Sequence, residues 1–170
     1  MDSLARVQYD DWRYEVISGK IVDMGSPSPR HMKISGLIYA NFEIYLKGKT
    51  CTAFHETDVK MSDDTVFRPD VMVICNPNQI TDKVNGPPTL VVEVISPSSG
   101  MRDKVIKKNA YEMYGVLEYW IVFPDSRKIE VYLNRDGEFV LDKVYEENDV
   151  IKTTVCGGEM QIVLSEIFNF

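Results

Sequence analysis

The sequence has 170 residues, of which 44% are hydrophobic and 26% charged, as in an ordinary globular domain with a substantial core. No apolar run approaches the ~20 residues that cross a bilayer, and the first residues lack the apolar segment of a secretory signal. We therefore expect a cytoplasmic protein with one domain over residues 1–170. The formal charge of −7 excludes a protein that holds nucleic acid by overall charge alone, although a local basic patch is compatible with it.

The sulfur and imidazole side chains do not indicate a catalytic or zinc-binding set. Cys51, Cys75 and Cys156 are scattered along the sequence and odd in number, and they lack the paired spacing of zinc ligands. Reduced thiols, as is usual in the cytoplasm, are therefore expected. The sequence has two histidines, His31 and His55, and no Ser-His-Asp or Cys-His set.

The first half of the chain predicts a hairpin, a helix and a second hairpin. Residues 14–17 and 20–24 have strand character on either side of Ser18-Gly19, a pair typical of a tight turn. Serines and prolines at 26–29 precede an apolar period of 3.6 residues, which predicts a helix over residues 30–47 that ends at Gly48. Residues 54–61 then predict a strand that returns over 66–75 after a turn at 62–64.

The second half predicts a crossover unit and another hairpin. An apolar strand at 90–95, a helix at 101–114 and a strand at 118–123 form a β-α-β unit, whose strands should be parallel and whose connection should be right-handed. Residues 128–133 and 139–145 predict a hairpin, and a short strand at 161–163 precedes a last helical turn. The pattern predicts a mixed α/β (α+β) domain built on one central sheet.

One residue of the strand at 90–95 is out of place. Its neighbours are apolar, as in a strand buried on both faces, but Glu93 stands in the middle. A buried carboxylate is costly unless it is paired, protonated or bound to a metal. Asp70, near the start of another apolar strand, would lie close to Glu93 if the two strands pair. A divalent cation would remove the resulting repulsion, and Mg²⁺ favours such carboxylates.

The helix at 101–114 offers a third charged residue. Lys107 lies about 100° away from Lys108 around the helix and shares its face with Ala110, Tyr111 and Tyr114. A carboxylate–metal cluster beneath this face would explain a lysine there. Each residue also has a purely structural interpretation: Lys107 extends along apolar surface to water, Asp70 begins an edge strand, and Glu93 pairs with Arg68 or Arg102.

The order of these residues resembles a known nuclease pattern. Arg68-Pro69-Asp70 followed by Glu93 in an apolar strand is similar to the PD-(D/E)xK nuclease superfamily and, within it, to the Uma-type restriction endonuclease family. The most distinctive blocks are residues 86–98 and 111–122, and the resemblance covers nearly the whole chain. It implies a restriction-endonuclease-like fold, in which helices flank a central mixed β-sheet.

The resemblance also implies roles for the charged residues. Asp70 and Glu93 would hold Mg²⁺ or Mn²⁺. Lys107 would replace the lysine that the motif has two residues after its glutamate, where this sequence has Ile95. Glu15, in the first hairpin, would be a further catalytic residue that holds a second metal or positions water. An ordinary exposed glutamate is an equally good interpretation.

Other polar residues are assigned by their neighbours in the sequence. His31, at the start of the first helix, either contacts a phosphate or is a partly exposed neighbour of the helix cap, which is the commoner case. Glu56 and Asp58 are expected to face solvent. Several basic residues would form a local patch for DNA, or else balance nearby acids: Arg30, Lys33, Arg102, Lys104, Lys107 and Lys108.

Two functions fit these expectations. The first is a Mg²⁺-dependent endonuclease that hydrolyses the phosphodiester bonds of DNA, favoured by Asp70, Glu93 and Lys107 together. The second is a nuclease fold without turnover that binds DNA or protein, favoured by Ile95 and by the net charge. The apolar hairpin at 139–145 makes a homodimer plausible, and a twofold dimer would match the symmetry of duplex DNA.

Overall fold

The computed structural model describes residues 13–96, 100–153 and 155–169, apart from the side chains of residues 100–104. A mixed six-stranded sheet forms the centre, with the strand order β11-β10-β9-β8-β6-β3. Its strands are β3 (Thr52–His55), β6 (Val71–Ile74), β8 (Leu90–Val94), β9 (Glu118–Phe123), β10 (Lys128–Arg135) and β11 (Glu138–Glu146). The α/β class predicted from the sequence is confirmed.

The predicted crossover and hairpin are present in this sheet. β8 and β9 are parallel, with Val92 opposite Trp120, and the other neighbouring strands are antiparallel. The turn between β10 and β11 places Asp136 and Gly137 at φ of 56° and 95°, a left-handed pair that matches the twist of a two-residue hairpin.

A second sheet, absent from the prediction, lies beside the first. It has the order β2-β1-β5-β4-β7. Its strands are β1 (Tyr14–Ile17), β2 (Lys20–Asp23), β4 (Val59–Ser62), β5 (Thr65–Phe67) and β7 (Val84–Asn85). The single strands expected at 54–61 and 66–75 are therefore each divided between two sheets. The first is interrupted at Glu56, whose φ is 50°, and the second at Pro69, which has no N–H for a strand ladder.

Three α-helices lie in the described part of the chain, close to their predicted positions. They are α1 (Pro29–Leu46), α2 (Gly100–Met113) and α3 (Leu164–Phe168). The Ser28 hydroxyl caps α1 by accepting a bond from the His31 N–H (3.2 Å). After α2, Gly115 adopts a φ of 81° while its N–H bonds to the Glu112 carbonyl (3.0 Å). A small sheet of β12 (Val150–Lys152) and β13 (Gln161–Val163) precedes α3.

The alternation of side chains along the central strands creates two apolar cores. Ile38 and Phe42 of α1 pack on one face, where the Phe42 ring lies 5.6 Å from that of Trp120. Tyr111 of α2 packs on the other face, with its ring 5.4 Å from that of Tyr119. Val91 belongs to the second core, and Glu93, two residues along the same strand, projects to this face beneath α2.

The three cysteines are far apart in the sequence but lie together in the structure, where the sequence analysis expected reduced thiols. Cys51 precedes β3 and Cys75 follows β6, so that the pairing of these strands brings the two residues opposite each other. The sulfur of Cys51 is within bonding distance of both Cys75 and Cys156. Because one sulfur forms one disulfide at a time, these two bonds are alternatives.

Within the described part of the chain, no helix is both long and apolar enough to cross a membrane.

Candidate metal and catalytic site

Asp70 and Glu93 lie opposite each other at the ends of two paired strands. β6 and β8 are antiparallel with Val71 opposite Val92, so the next pair outward is Asp70 and Glu93. The two residues are 5% and 7% exposed. The N–H of Val94 donates to Oδ2 of Asp70 (2.6 Å), which connects the two strand ends. Both carboxylates line one cavity of ≈ 370 Å³.

Lys107 reaches the same cavity from α2. Its ammonium nitrogen lies 3.1 Å from Oε1 of Glu93 and 2.9 Å from Oε1 of Glu15, and its side chain is 15% exposed. Of the two adjacent lysines, the structure therefore directs Lys107 to the carboxylates, whereas Lys108 lies near Glu112 (3.9 Å) on the same helix. The alternative, in which Lys107 extends along apolar surface to bulk water, is therefore wrong.

Tyr111, one turn after Lys107, holds the same carboxylate. Its buried hydroxyl donates to Oε1 of Glu93 (2.7 Å). The sequence analysis placed Tyr111 on the apolar face of the helix without a polar role. Its spacing of four residues from Lys107 was the available signal, since residues at that spacing lie above one another on a helix.

Glu15 belongs to the cavity and is not an exposed strand residue. It is 2% exposed, although its neighbours in β1 are partly or largely open to solvent. Its Oε1 accepts a bond from the Arg68 N–H (2.9 Å) in addition to the contact with Lys107. Glu15 thus links the second sheet to the strand ends of the central sheet.

Three buried carboxylates around one ammonium group produce an excess of negative charge. The pKa of Glu93 is raised to about 7, chiefly because burial disfavours its charged form, and the charges of Asp70 and Glu15 add to the effect. Lys107 and Tyr111 oppose it in part. Burial lowers the pKa of Lys107, but the charges of Glu93 and Glu15 outweigh it, and the net pKa is raised. Lys107 therefore stays charged, and Glu93 exchanges its proton near neutral pH.

A second group of polar side chains adjoins Asp70 and corrects one expectation. His31 is a partly exposed neighbour of the α1 cap, as expected, and its Nε2 also lies 2.8 Å from Oδ1 of Asp70. Glu56 does not face solvent: its carboxylate pairs with Arg13, and it lines the cavity. Asp58 is half exposed, as expected, and bonds to Arg68 (2.6 Å).

Two residues of the predicted basic patch are engaged with acidic groups. Arg30 bonds to Asp125 (2.9 Å) and to the carbonyl of Pro124 (2.7 Å), and Lys107 is taken up by the cavity. The side chains of Arg102 and Lys104 lie outside the described residues. Arg30 and Lys107 are therefore each paired with an acidic side chain.

The described elements form a restriction-endonuclease-like fold. A solved structure described as a putative nuclease belonging to DUF820, from Anabaena variabilis, superimposes with a TM-score of 0.77 at 19% identity, covering 91% of this chain and 89% of that one. This likeness confirms the predicted fold.

The sequence comparison identifies the family. Residues 1–164 match the model of the Uma2 family, described as "putative restriction endonuclease". An uncharacterized protein of Synechocystis sp. is 31% identical over 151 residues, which cover 85% of this chain and 78% of the relative. The chain belongs to the Uma2 family, as its sequence motifs predicted.

Proposed function

We propose that the protein is a divalent-metal-dependent DNA endonuclease that hydrolyses phosphodiester bonds. The observation that carries the proposal is the convergence of Asp70, Glu93 and Lys107 in one cavity of a Uma2-family chain. These residues come from three separate segments of the chain, and each carries a charge that is costly to bury. A polar centre of this kind is more easily explained by a catalytic task than by stability.

The donor set of the cavity fits Mg²⁺ or Mn²⁺. Asp70 and Glu93 offer buried carboxylate oxygens, which are the ligands that these ions prefer. Burial, with smaller contributions from Asp70 and Glu15, raises the pKa of Glu93 despite the charge of Lys107, so a bound cation would favour the charged carboxylate. When bound, the ion would stabilise charge on the phosphoryl oxygens and lower the pKa of the attacking water.

The other side chains would position these groups. Lys107 would orient the attacking water or neutralise the phosphate as a point charge. Glu15 holds the ammonium group of Lys107 at 2.9 Å, and Tyr111 holds Oε1 of Glu93 at 2.7 Å. Each contact fixes the orientation of a reacting group before the substrate binds. Less conformational entropy is then lost on reaching the transition state.

The test is nicking of supercoiled plasmid DNA by the full chain with Mg²⁺ or Mn²⁺. We expect Asp70→Asn, Glu93→Gln and Lys107→Met to lower the rate by roughly 10²-fold or more. Lys108→Met, one residue away on the same helix, should retain the wild-type rate. Wild-type protein that nicks no substrate under either ion would refute the proposal.

A second function is favoured by one specific residue. Ile95 occupies the position where the superfamily motif has its lysine, and a protein without turnover would then bind DNA or a protein partner. Metal binding and DNA retention without any nicking would support this alternative. The rate with Lys107→Met separates the two, since a binding module has no rate to lose.

We also propose that the protein acts in the cytoplasm and as a homodimer. β11 is an edge strand of the central sheet, and it exposes Val140, Leu141 and Val144 by 46%, 47% and 38%. An apolar edge of this kind favours pairing with a second copy. Sedimentation should give a dimer for the wild type and a monomer for Leu141→Lys. A wild-type monomer at micromolar concentration would contradict the dimer.

A further inference from the structure

The cavity contains a second set of metal-binding side chains beside the Asp70–Glu93 pair. One donor atom from each of His31, Glu56 and Asp70 lies within 4.8 Å of the others. We propose that these three residues form a separate site for a divalent transition-metal ion such as Mn²⁺. The site extends the proposed function, with which it shares Asp70, but the binding of an ion here does not depend on catalysis.

The local structure holds the three donors in place. His31 lies in the first turn of α1, where Ser28 caps the helix. Glu56 follows β3 in a left-handed conformation, and its N–H donates to the backbone carbonyl of Asp70 (3.1 Å). The Nε2 of His31 lies 2.8 Å from Oδ1 of Asp70. Two donors at right angles on an ion with bonds of about 2.1 Å are about 3 Å apart, so this spacing suits a shared ion.

Unpartnered polar atoms in the same region point to a missing ligand. Among the described residues, three buried side-chain atoms have no hydrogen-bond partner: His31 Nδ1, Glu56 Oε1 and the Tyr119 hydroxyl. All three residues line the cavity, and Tyr119 is fully buried. A buried polar atom without a partner destabilises the folded chain. An ion with its bound water supplies partners for the carboxylate oxygen and the hydroxyl.

Charge and donor type decide which ion the site takes. Arg13 pairs with one oxygen of Glu56, so its charge offsets that carboxylate in part, and Asp70 keeps the site anionic. An imidazole nitrogen among the ligands favours Mn²⁺ and later transition metals over Mg²⁺, which prefers oxygen. The site is therefore expected to prefer Mn²⁺ to Mg²⁺.

The experiment uses the untagged chain of 170 residues and Mn²⁺ alone, in the absence of DNA. The chain has two histidines, so nitrogen coupling to bound Mn²⁺ in pulsed electron paramagnetic resonance can be assigned to one of them. We expect coupling in the wild type and its loss in His31→Gln. His55→Gln is the matched control and should retain it, since His55 contacts Ser35 instead (3.0 Å). Competition should show that His31→Gln reduces the preference for Mn²⁺ over Mg²⁺ on the order of tenfold.

The outcomes separate this inference from the proposed function. Bound Mn²⁺ without nitrogen coupling, or coupling that disappears only in His55→Gln, would overturn the His31 site and leave the Asp70–Glu93 site standing. Coupling that persists in Glu93→Gln would support a separate site. Loss of coupling in Glu93→Gln would show one shared ion and overturn the separation. A wild type that binds no Mn²⁺ would overturn both proposals.

Discussion

The ammonium group of Lys107 lies 3.1 Å from Oε1 of Glu93, and both side chains are largely withdrawn from solvent. Lys107 belongs to α2 and Glu93 to β8, so the ion pair ties the crossover helix to the sheet beneath it. Glu15 extends this tie to the second sheet through the same ammonium group. Because buried charges lose their hydration, such a group stabilises the fold only while it is complete.

Removal of the lysine should therefore destabilise the protein strongly. We expect Lys107→Met to lower the free energy of unfolding by about 3 kcal/mol, because two buried carboxylates lose their shared cation. Urea unfolding in a chelator measures the effect. Lys108→Met should cost much less, since its pairing distance is longer (3.9 Å), and adding Glu93→Gln to Lys107→Met should restore part of the loss. Equal effects of the two lysine variants would contradict the buried pair.

The raised pKa of Glu93 predicts that the folded protein becomes less stable as the pH rises. Burial and the neighbouring carboxylates raise its pKa from 4.5 to about 7, so the folded chain keeps a proton that the unfolded chain releases. The stabilisation from that proton is full below 4.5 and is lost as the pH rises through about 7, a change on the order of 3 kcal/mol.

Unfolding at pH 5 and pH 8, in a chelator, checks this prediction. Between these two pH values, the free energy of unfolding should fall more in the wild type than in Glu93→Gln, which has no titrating group at position 93. Glu159→Gln, at an exposed position, is the control and should follow the wild type. Parallel profiles for the wild type and Glu93→Gln would show that Glu93 is not the source.

The hydroxyl of Tyr111 should contribute more to the free energy of unfolding than the hydroxyl of a less buried tyrosine. Tyr111→Phe removes a bond of 2.7 Å to Oε1 of Glu93 inside the core, at an expected cost of about 1.5–3 kcal/mol. Tyr132→Phe removes a bond of 2.8 Å to Glu130 in a part-buried setting and should cost less. Thermal unfolding of both variants at one pH measures the difference between their losses of stability. Equal losses would show that the Tyr111 hydroxyl is hydrated in solution.

The cysteine cluster should form one disulfide per chain. Cys51 contacts both Cys75 and Cys156, and an oxidant such as diamide removes two electrons and two protons to join one pair. One thiol is then left for alkylation, and peptide mapping should find it at Cys75 or Cys156. An oxidised chain whose labelled thiol is Cys51 would show that this residue is not the shared partner.

Part of the candidate site was predictable from local patterns. A carboxylate in an apolar strand identified Glu93, and the helical period distinguished Lys107 from Lys108, because both signals depend on spacing along a few residues. Glu56 was wrongly expected to face solvent, and the contact of His31 with Asp70 was not predicted, since these two residues are 39 positions apart along the chain. Glu15 remained ambiguous because a strand of four residues does not reveal which of its faces is covered.

The sequence by itself determined the helices, the hairpin turns, the parallel crossover and the presence of charges that need a partner, since periodicity and turn chemistry act locally. Only the tertiary structure decided that two sheets divide the strands expected at 54–61 and 66–75. It also decided which donors meet Asp70 and which sulfurs meet Cys51. These contacts follow from strand register and helix placement over long separations, which are set by the packing of the whole core.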